Sequence, residues 1–219
     1  MARRVRAQRV RVHCITVTAD GIGAGDDPSF DRPFGDVDPG DLFAWAGATA
    51  SWVNRTEPGG HRGLDDWITR DFTRGIGAEI MGRGKFGPQT GPWPDHEWQG
   101  WWGDEPPFHT PVFVLTHHPR PALTLGDTTF HFVDASPEQA VEQAKAAAGG
   151  GDVRIGGGVT TLRSFLDADL IDDMHIAVTP DELGTGKRLW ESPDELTDRF
   201  HLERVPSGSG VVHHFFWRR

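Results

Sequence analysis

Cysteine is almost missing: Cys14 is the single one in 219 residues. That excludes an intramolecular disulfide and any cysteine-rich metal site. Lysine is nearly as scarce, confined to Lys85, Lys145 and Lys187. Positive charge is outweighed, with 22 Lys+Arg against 32 Asp+Glu and a formal net charge of −10. This balance argues against nucleic acid as the main partner, because phosphate backbones select basic surfaces. A small anionic ligand stays compatible, since it needs only a local basic pocket. No apolar run approaches the roughly 20 residues that cross a bilayer. The basic start, Met1-Ala-Arg-Arg-Val-Arg, leads into a strand pattern and lacks the apolar core of a signal peptide. A cytoplasmic protein with no membrane partner is the expectation.

Hydrophobic residues make up 37 % and aromatics 10 %, enough to build the core of one domain over residues 1–219. Residues 10–18 are β-branched and alternate in part, as a strand does. Gly, Asp and Pro then dominate as far as Gly40, a long connection of the kind that often serves as a lid. Residues 41–53 and 64–74 read as helices, the first with Asp38 or Asp41 as N-cap. Strands are predicted at 79–81, 112–116, 130–133, 153–155 and 171–179. Helices are predicted at 137–148, with Ser136 as N-cap and Gly149 as the stop, and at 160–168. A hairpin across Pro206-Ser-Gly-Ser-Gly closes the chain. Alternating strands and helices with a terminal hairpin indicate an α/β fold with a mostly parallel, mixed sheet.

Two glycine clusters stand directly after strands: Gly82-Arg-Gly-Lys and Gly156-Gly-Gly-Val-Thr-Thr. At a strand's carboxyl end, glycine lets backbone approach a ligand, and the next helix offers free N–H groups to phosphate. Neither cluster is a P-loop or a dinucleotide GxGxxG fingerprint, and each alone is as well explained as a turn. Arg83, His117, His118 and Arg120 follow strand ends and could converge into a basic pocket, or simply be solvated. Residues 88–111 crowd Trp93, Trp98, Trp101 and Trp102 among prolines and glycines. They form either a surface loop pinned by its indoles or an aromatic wall of a substrate pocket.

In order along the chain come Thr16-Val-Thr-Ala-Asp-Gly-Ile, then Glu79-Ile-Met-Gly-Arg-Gly-Lys-Phe, then Val112-Phe-Val-Leu-Thr-His-His-Pro. Val153-Arg-Ile-Gly-Gly-Gly-Val-Thr-Thr-Leu and Leu183-Gly-Thr-Gly-Lys-Arg-Leu-Trp follow. With this series the chain resembles the dihydrofolate reductase-like superfamily, in the branch of the bacterial riboflavin biosynthesis reductase domain. The resemblance implies a three-layer α/β sandwich with a C-terminal antiparallel hairpin, an NADPH cofactor and hydride transfer to a pterin-like or riboflavin-precursor-like heterocycle. It implies cofactor contacts from Gly82, Arg83, Gly84 and Lys85 on one side of the pyrophosphate. Gly156, Gly157, Gly158, Val159, Thr160 and Thr161 would stand on the other, where a Gly-Gly peptide is commonly cis. Thr116, His117 and His118 would meet the adenosine 2′-phosphate, and Ala19, Gly21 and Ile22 the nicotinamide, under a lid over residues 20–40.

Asp41 and Asp20 are the candidate catalytic carboxylates implied at the acceptor end, although Asp41 is equally explained as a helix cap. Trp45, Trp93 and Trp102 are the candidate substrate contacts. The tryptophan-rich insertion is foreign to true dihydrofolate reductases and points away from folate. No zinc deaminase motif stands before residue 10, so a stand-alone reductase is expected, and relatives of this branch often pair as homodimers. No metal is expected, because His117-His118 and His213-His214 are adjacent in strands and point to opposite faces. A scaffold that binds a nucleotide without catalysis is the alternative.

Overall fold

The computed structural model describes residues 7–52 and 55–219. The chain runs β1 (Val10–Val17), β2 (Ile22–Ala24), α1 (Pro39–Gly47), α2 (Leu64–Arg70), β3 (Ile76–Gly82), α3 (Arg83–Phe86) and β4 (Pro111–Leu115). It continues with β5 (Leu123–Leu125), β6 (Thr128–Val133), α4 (Pro137–Ala147), β7 (Asp152–Ile155), α5 (Val159–Asp167) and β8 (Asp173–Val178). The last strands are β9 (Lys187–Arg188), β10 (Phe200–Pro206) and β11 (Val212–Arg218). One nine-stranded sheet has the order β10-β11-β8-β1-β7-β3-β4-β6-β5, and β2 pairs with β9 in a small second sheet. The six strands from β8 to β6 are mutually parallel, and antiparallel partners stand at both edges. This is the mixed, mostly parallel α/β sheet that the sequence predicts, with the C-terminal hairpin in place.

The side chains of each strand divide between two faces. Val12, Ala78, Ile80, Phe113, Val153, Ile155, Met174 and Phe216 pack with α4 and α5 on one side. Met81, Val112, Val114, Phe130 and Phe132 meet the tryptophan-rich insertion on the other, while Ala177 and Val211 meet Trp45 and Ala46 of α1 and Ile68 of α2. Cover on both faces explains why β4 is a continuous apolar run, Pro111-Val-Phe-Val-Leu. Helix α4 starts on the predicted Ser136 cap, a capping box closed by Gln139. Helix α1 is capped by Asp38, whose carboxylate accepts from the Gly40 N–H at 2.8 Å. It ends at Gly47, and Val53, its expected end, lies outside the described residues. Helix α2 likewise stops at Arg70, short of Arg74. The short strands β2, β5 and β9 are too brief to show a periodic pattern in the sequence.

Strand β1 carries an irregularity that shapes everything above it. Its register with β8 shifts between Val12 and Ile15, and Cys14 takes a left-handed φ of 60°. The bulge keeps Val12 and Ile15 on the α4/α5 side while Cys14 faces α1 and α2. The partial alternation of residues 10–18 is this bulge. A histidine chain pins it. The Cys14 N–H donates to His175 Nδ1 at 3.2 Å, His175 Nε2 meets His213 Nδ1 at 2.9 Å, and His213 Nε2 meets Asp65 Oδ1 at 2.7 Å. With Nδ1 of His175 accepting, its proton sits on Nε2 and is given to His213, whose own proton then goes to Asp65. Every ring is neutral and every polar atom is used.

Burial holds His175 well below the ordinary histidine value, helped by the neighbouring His13, His213 and His214. Burial also takes His13 down to about 4, with Arg154 and Arg11 adding to it. These groups stay neutral in the folded chain while their unfolded counterparts charge. Stability is therefore complete above the unfolded value and declines as pH falls below about 6.5, by roughly 1.4 kcal/mol per pH unit for each buried ring. Urea midpoints measured at pH 7.5 and 5.5, both about one pH unit from that value, are expected to fall with acid. A His175→Asn variant, which keeps an acceptor for the Cys14 N–H, is expected to show a visibly shallower decline.

Candidate active site

The two glycine clusters meet. The Gly82 N–H donates to the Gly157 carbonyl at 2.9 Å and the Gly156 N–H to the Ile80 carbonyl at 2.8 Å. A Cβ on Gly82 would lie 2.1 Å from Thr161 Oγ1, so only glycine allows this approach. The peptide between Gly157 and Gly158 is cis. Helix α5 starts at Gly158 with no side-chain cap, which leaves first-turn N–H groups directed out of the helix beside the glycines. The turn after β1 reaches the same place. Gly23 lies against Val159, where a Cβ would stand 2.3 Å from Val159 Cγ2, and the Gly21 carbonyl accepts from Leu189 N–H at 2.8 Å. Three of the expected cofactor segments thus converge at the carboxyl ends of β1, β3 and β7.

At the β4 end, the Arg83 guanidinium lies 3.8 Å from the centre of the Trp93 ring, and Arg120 lies 4.5 Å from that ring and 4.2 Å from Phe132. Arg83 gives one N–H to the Gly91 carbonyl, and Arg120 gives one to the Trp98 carbonyl at 2.7 Å. Buried donors remain on both: Arg83 Nε and Nη2 and Arg120 Nη1 have no partner among the described residues. Trp93 donates to the His118 carbonyl at 2.5 Å. His118 thus takes part through its backbone, and the His117 ring is exposed, paired with Asp134 at 3.1 Å.

A cavity of about 140 Å³ opens on the face opposite α4 and α5. Cys14, Thr16 and Arg154 form its floor; Phe43, Trp45, Thr69 and Phe72 wall one side, and Lys85, Trp102 and Phe108 the other. Trp45 is fixed by its Nε1–H, donated to Thr16 Oγ1 at 3.1 Å. Trp102 stacks on Phe130 with ring centroids 5.8 Å apart and meets Phe108 edge-on at 4.8 Å. The tryptophan-rich insertion is therefore both a pinned loop and an aromatic wall. Trp98, donating to the Phe86 carbonyl at 2.9 Å, pins it to the body, and Trp102 forms pocket wall.

Sequence comparison settles the family. A profile of the RibD C-terminal domain matches residues 43–212. The chain belongs to the RibD C-terminal domain family. These are reductase domains. No curated protein sequence matches the chain. Among solved structures, a Shewanella sp. PV-4 protein assigned to riboflavin biosynthesis superposes with TM-score 0.53 at 20 % identity, covering 97 % of this chain and 99 % of its own. A pyrimidine reductase-like protein of Corynebacterium diphtheriae gives TM-score 0.53 at 12 % identity, with 97 % and 92 % covered. RibD of Acinetobacter baumannii gives TM-score 0.53 at 16 % identity; the chain spans 58 % of its length. At these identities the likeness is one of fold, the dihydrofolate reductase-like sandwich expected from the motifs.

Within this RibD-type domain several expected site residues stand elsewhere than foreseen. Asp41 is exposed in the first turn of α1 and does not line the cavity. Asp20 holds its own loop together, accepting from Thr18 Oγ1 at 2.5 Å, Gly184 N–H at 2.8 Å and Leu183 N–H at 3.3 Å. Trp93 belongs with Arg83 and Arg120 and is absent from the cavity wall. Lys85 points into the cavity, and its Nζ donates to the Gly156 carbonyl at 2.6 Å.

Beneath it is a pair that the motifs did not single out. Glu79 Oε1 meets Arg154 Nη1 at 2.6 Å, with the two side chains 0 % and 5 % exposed. Arg154 also donates from Nε to the His13 carbonyl at 3.2 Å and lies over the Phe72 ring at 4.7 Å. Burial lowers the Lys85 ammonium to about 8, with Arg154 contributing and Glu79 and Cys14 opposing. Burial pushes the Cys14 thiol up to about 11. The signal was available in principle: Glu79 and Arg154 are each charged residues set between apolar neighbours in adjacent parallel strands.

Proposed function

We propose that the chain is an NADPH-dependent reductase whose acceptor is a compact planar heterocycle, of pyrimidine or pterin type, with a conjugated C=N or C=C–C=O bond. The observation that carries this reading is the glycine cradle of residues 82–84 and 156–161, closed by an uncapped helix start and flanked by arginines with unsatisfied buried donors. Such a cradle fits a pyrophosphate and, at the β4 end, a further phosphate. Gly82 and Gly84 would hold one side and Gly156 to Thr161 the other. Arg83, Arg120, Thr116 and the 117–118 backbone would form the 2′-phosphate end, and Ala19, Gly21 and Ile22 the nicotinamide end. Bound there, NADPH supplies the hydride. The aromatic cavity orients a flat acceptor beside that cradle and keeps water from it.

The lid supports the same reading. Its tip residue Phe30 is 49 % exposed yet packs edge-on against Trp98, with centroids 4.8 Å apart, and against Trp101 at 6.2 Å. Residues 20–40 and the insertion thus meet across the cleft. Riboflavin-related names among structures of this fold favour a pyrimidine precursor as the acceptor. The test is loss of reduced-nicotinamide absorbance in the presence of a ribosylaminopyrimidine phosphate or a dihydropterin. Acceptor-dependent oxidation of NADPH, and little of NADH, is expected. Tight NADPH binding with no oxidation by either class would instead favour a non-catalytic nucleotide-binding protein.

A further inference from the structure

We propose that Lys85 is the residue that protonates the acceptor, so that the reducible bond of the acceptor ends in a nitrogen or oxygen seated on this ammonium. The proposal rests on the reductase reading above and adds the acid that neither Asp41 nor Asp20 provides. Among the described residues three ionisable groups line the cavity: Cys14 from β1, Lys85 from α3 and Arg154 from β7. Arg154 is committed to Glu79 at 2.6 Å, and a guanidinium is not a proton donor in catalysis. The Cys14 thiol is held too weakly acidic by burial. Lys85 is left as the donor with a proton to give.

Its placement suits the task. The Nζ stands between the cavity and the carbonyl of Gly156, the first residue of the glycine cradle. That is the seam between the acceptor cavity and the cofactor cradle. Gly156 is bare enough for both charged groups to close on it. A Cβ there would lie 2.9 Å from Glu79 Oε2 and 3.1 Å from Lys85 Nζ. Glu79 Oε2 has no partner of its own among the described residues, so one carboxylate lobe remains to favour the ammonium. The charged groups facing Lys85 are thus Glu79 and Arg154, beside the neutral Cys14 thiol, and its lowered value near 8 leaves it protonated yet able to donate at neutral pH.

The step balances. The hydride brings two electrons and one hydrogen to the acceptor carbon as the π bond breaks, and NADPH becomes NADP⁺. The electron pair of that bond goes to the heteroatom, which takes the proton from the Lys85 ammonium. The neutral amine regains a proton from water after release. Without the donor, an anion would form in an aromatic cavity that offers it no solvation.

With three lysines in the chain, Lys85 can be followed directly. The unmodified protein is treated with pyridine-4-carbaldehyde, a small flat heterocycle, across a pH series with and without saturating NADPH. Borohydride then fixes each imine as a secondary amine for peptide mapping. Lys85 is expected to be trapped first of the three, half-maximally near pH 8, and still to react with NADPH bound. Failure to label Lys85, or complete protection by NADPH, would overturn the proposal, the latter by returning Lys85 to the cofactor. With any acceptor that supports turnover, Lys85→Met is expected to lower kcat by about a hundredfold or more while NADPH affinity stays within about twofold. Lys85→Arg, which keeps charge but not an easily lost proton, should remain slow and folded. Unchanged kcat in either variant would contradict the assignment. Absence of NADPH binding by the unaltered protein would count against the reductase reading alone, since the labelling does not depend on it.

Discussion

Glu79→Ala is expected to destabilise the protein by about 3–5 kcal/mol, a loss well beyond that of an ordinary surface substitution. The reason is the partner left behind. Arg154 would keep its charge in the sheet interior, with only the His13 carbonyl and the Phe72 face to receive it. Removing both charges is a different matter. Glu79→Met with Arg154→Met replaces a desolvated pair by apolar volume and is expected to recover most of the loss. Urea denaturation of the two single variants and the double variant measures this. A Glu79→Ala loss below about 1 kcal/mol would place the pair in the class of solvated surface bridges. The position of the pair under the cavity gives a reason for so costly an arrangement: Glu79 aligns Arg154 and faces Lys85.

Arg83→Ala is expected to weaken NADPH binding by about 10- to 100-fold and to leave the weaker NADH affinity nearly unchanged. Loss of hydrogen bonds to a charged phosphate accounts for roughly 1.5–3 kcal/mol of the NADPH affinity. Arg83 carries two buried donors without partners among the described residues, Nε and Nη2, while its third contact is internal. The same substitution removes the cation stacked on Trp93, so the intrinsic fluorescence should change even without ligand. The chain contains nine tryptophans and no tyrosine, which makes that signal purely indole. Equal weakening of NADPH and NADH would show that Arg83 supports the pyrophosphate or the insertion and not the 2′-phosphate.

Much of the architecture was legible because single residues carried it. Ser136 and Gln139 mark the start of α4, the glycines after Ile155 mark the turn into α5, and the apolar run Val112 to Leu115 marks the buried strand β4. The convergence of Gly82 with Gly156 to Thr161 was legible from the motif order. What was hidden depends on contacts between segments distant in sequence. The bulge at Cys14 is held by His175, 161 residues away, and His175 in turn by His213. The direction of Lys85 is set by one turn of α3 and the Gly156 carbonyl, 71 residues on. Trp93 and Trp102 look alike in the sequence, yet one backs the arginines and the other walls the cavity. No periodicity separates two indoles within a loop.

The proposed phosphate cradle is the feature on which the NADPH-dependent reading rests. The measurement that addresses it directly is a titration of the purified protein with NADPH and, separately, NADH, followed by quenching of its tryptophan fluorescence. The predicted result is saturable NADPH binding in the micromolar range or tighter, with NADH at least about tenfold weaker, equivalent to roughly 1.4 kcal/mol or more for the added phosphate. Absence of saturable quenching by both nucleotides, confirmed by calorimetry, would contradict it.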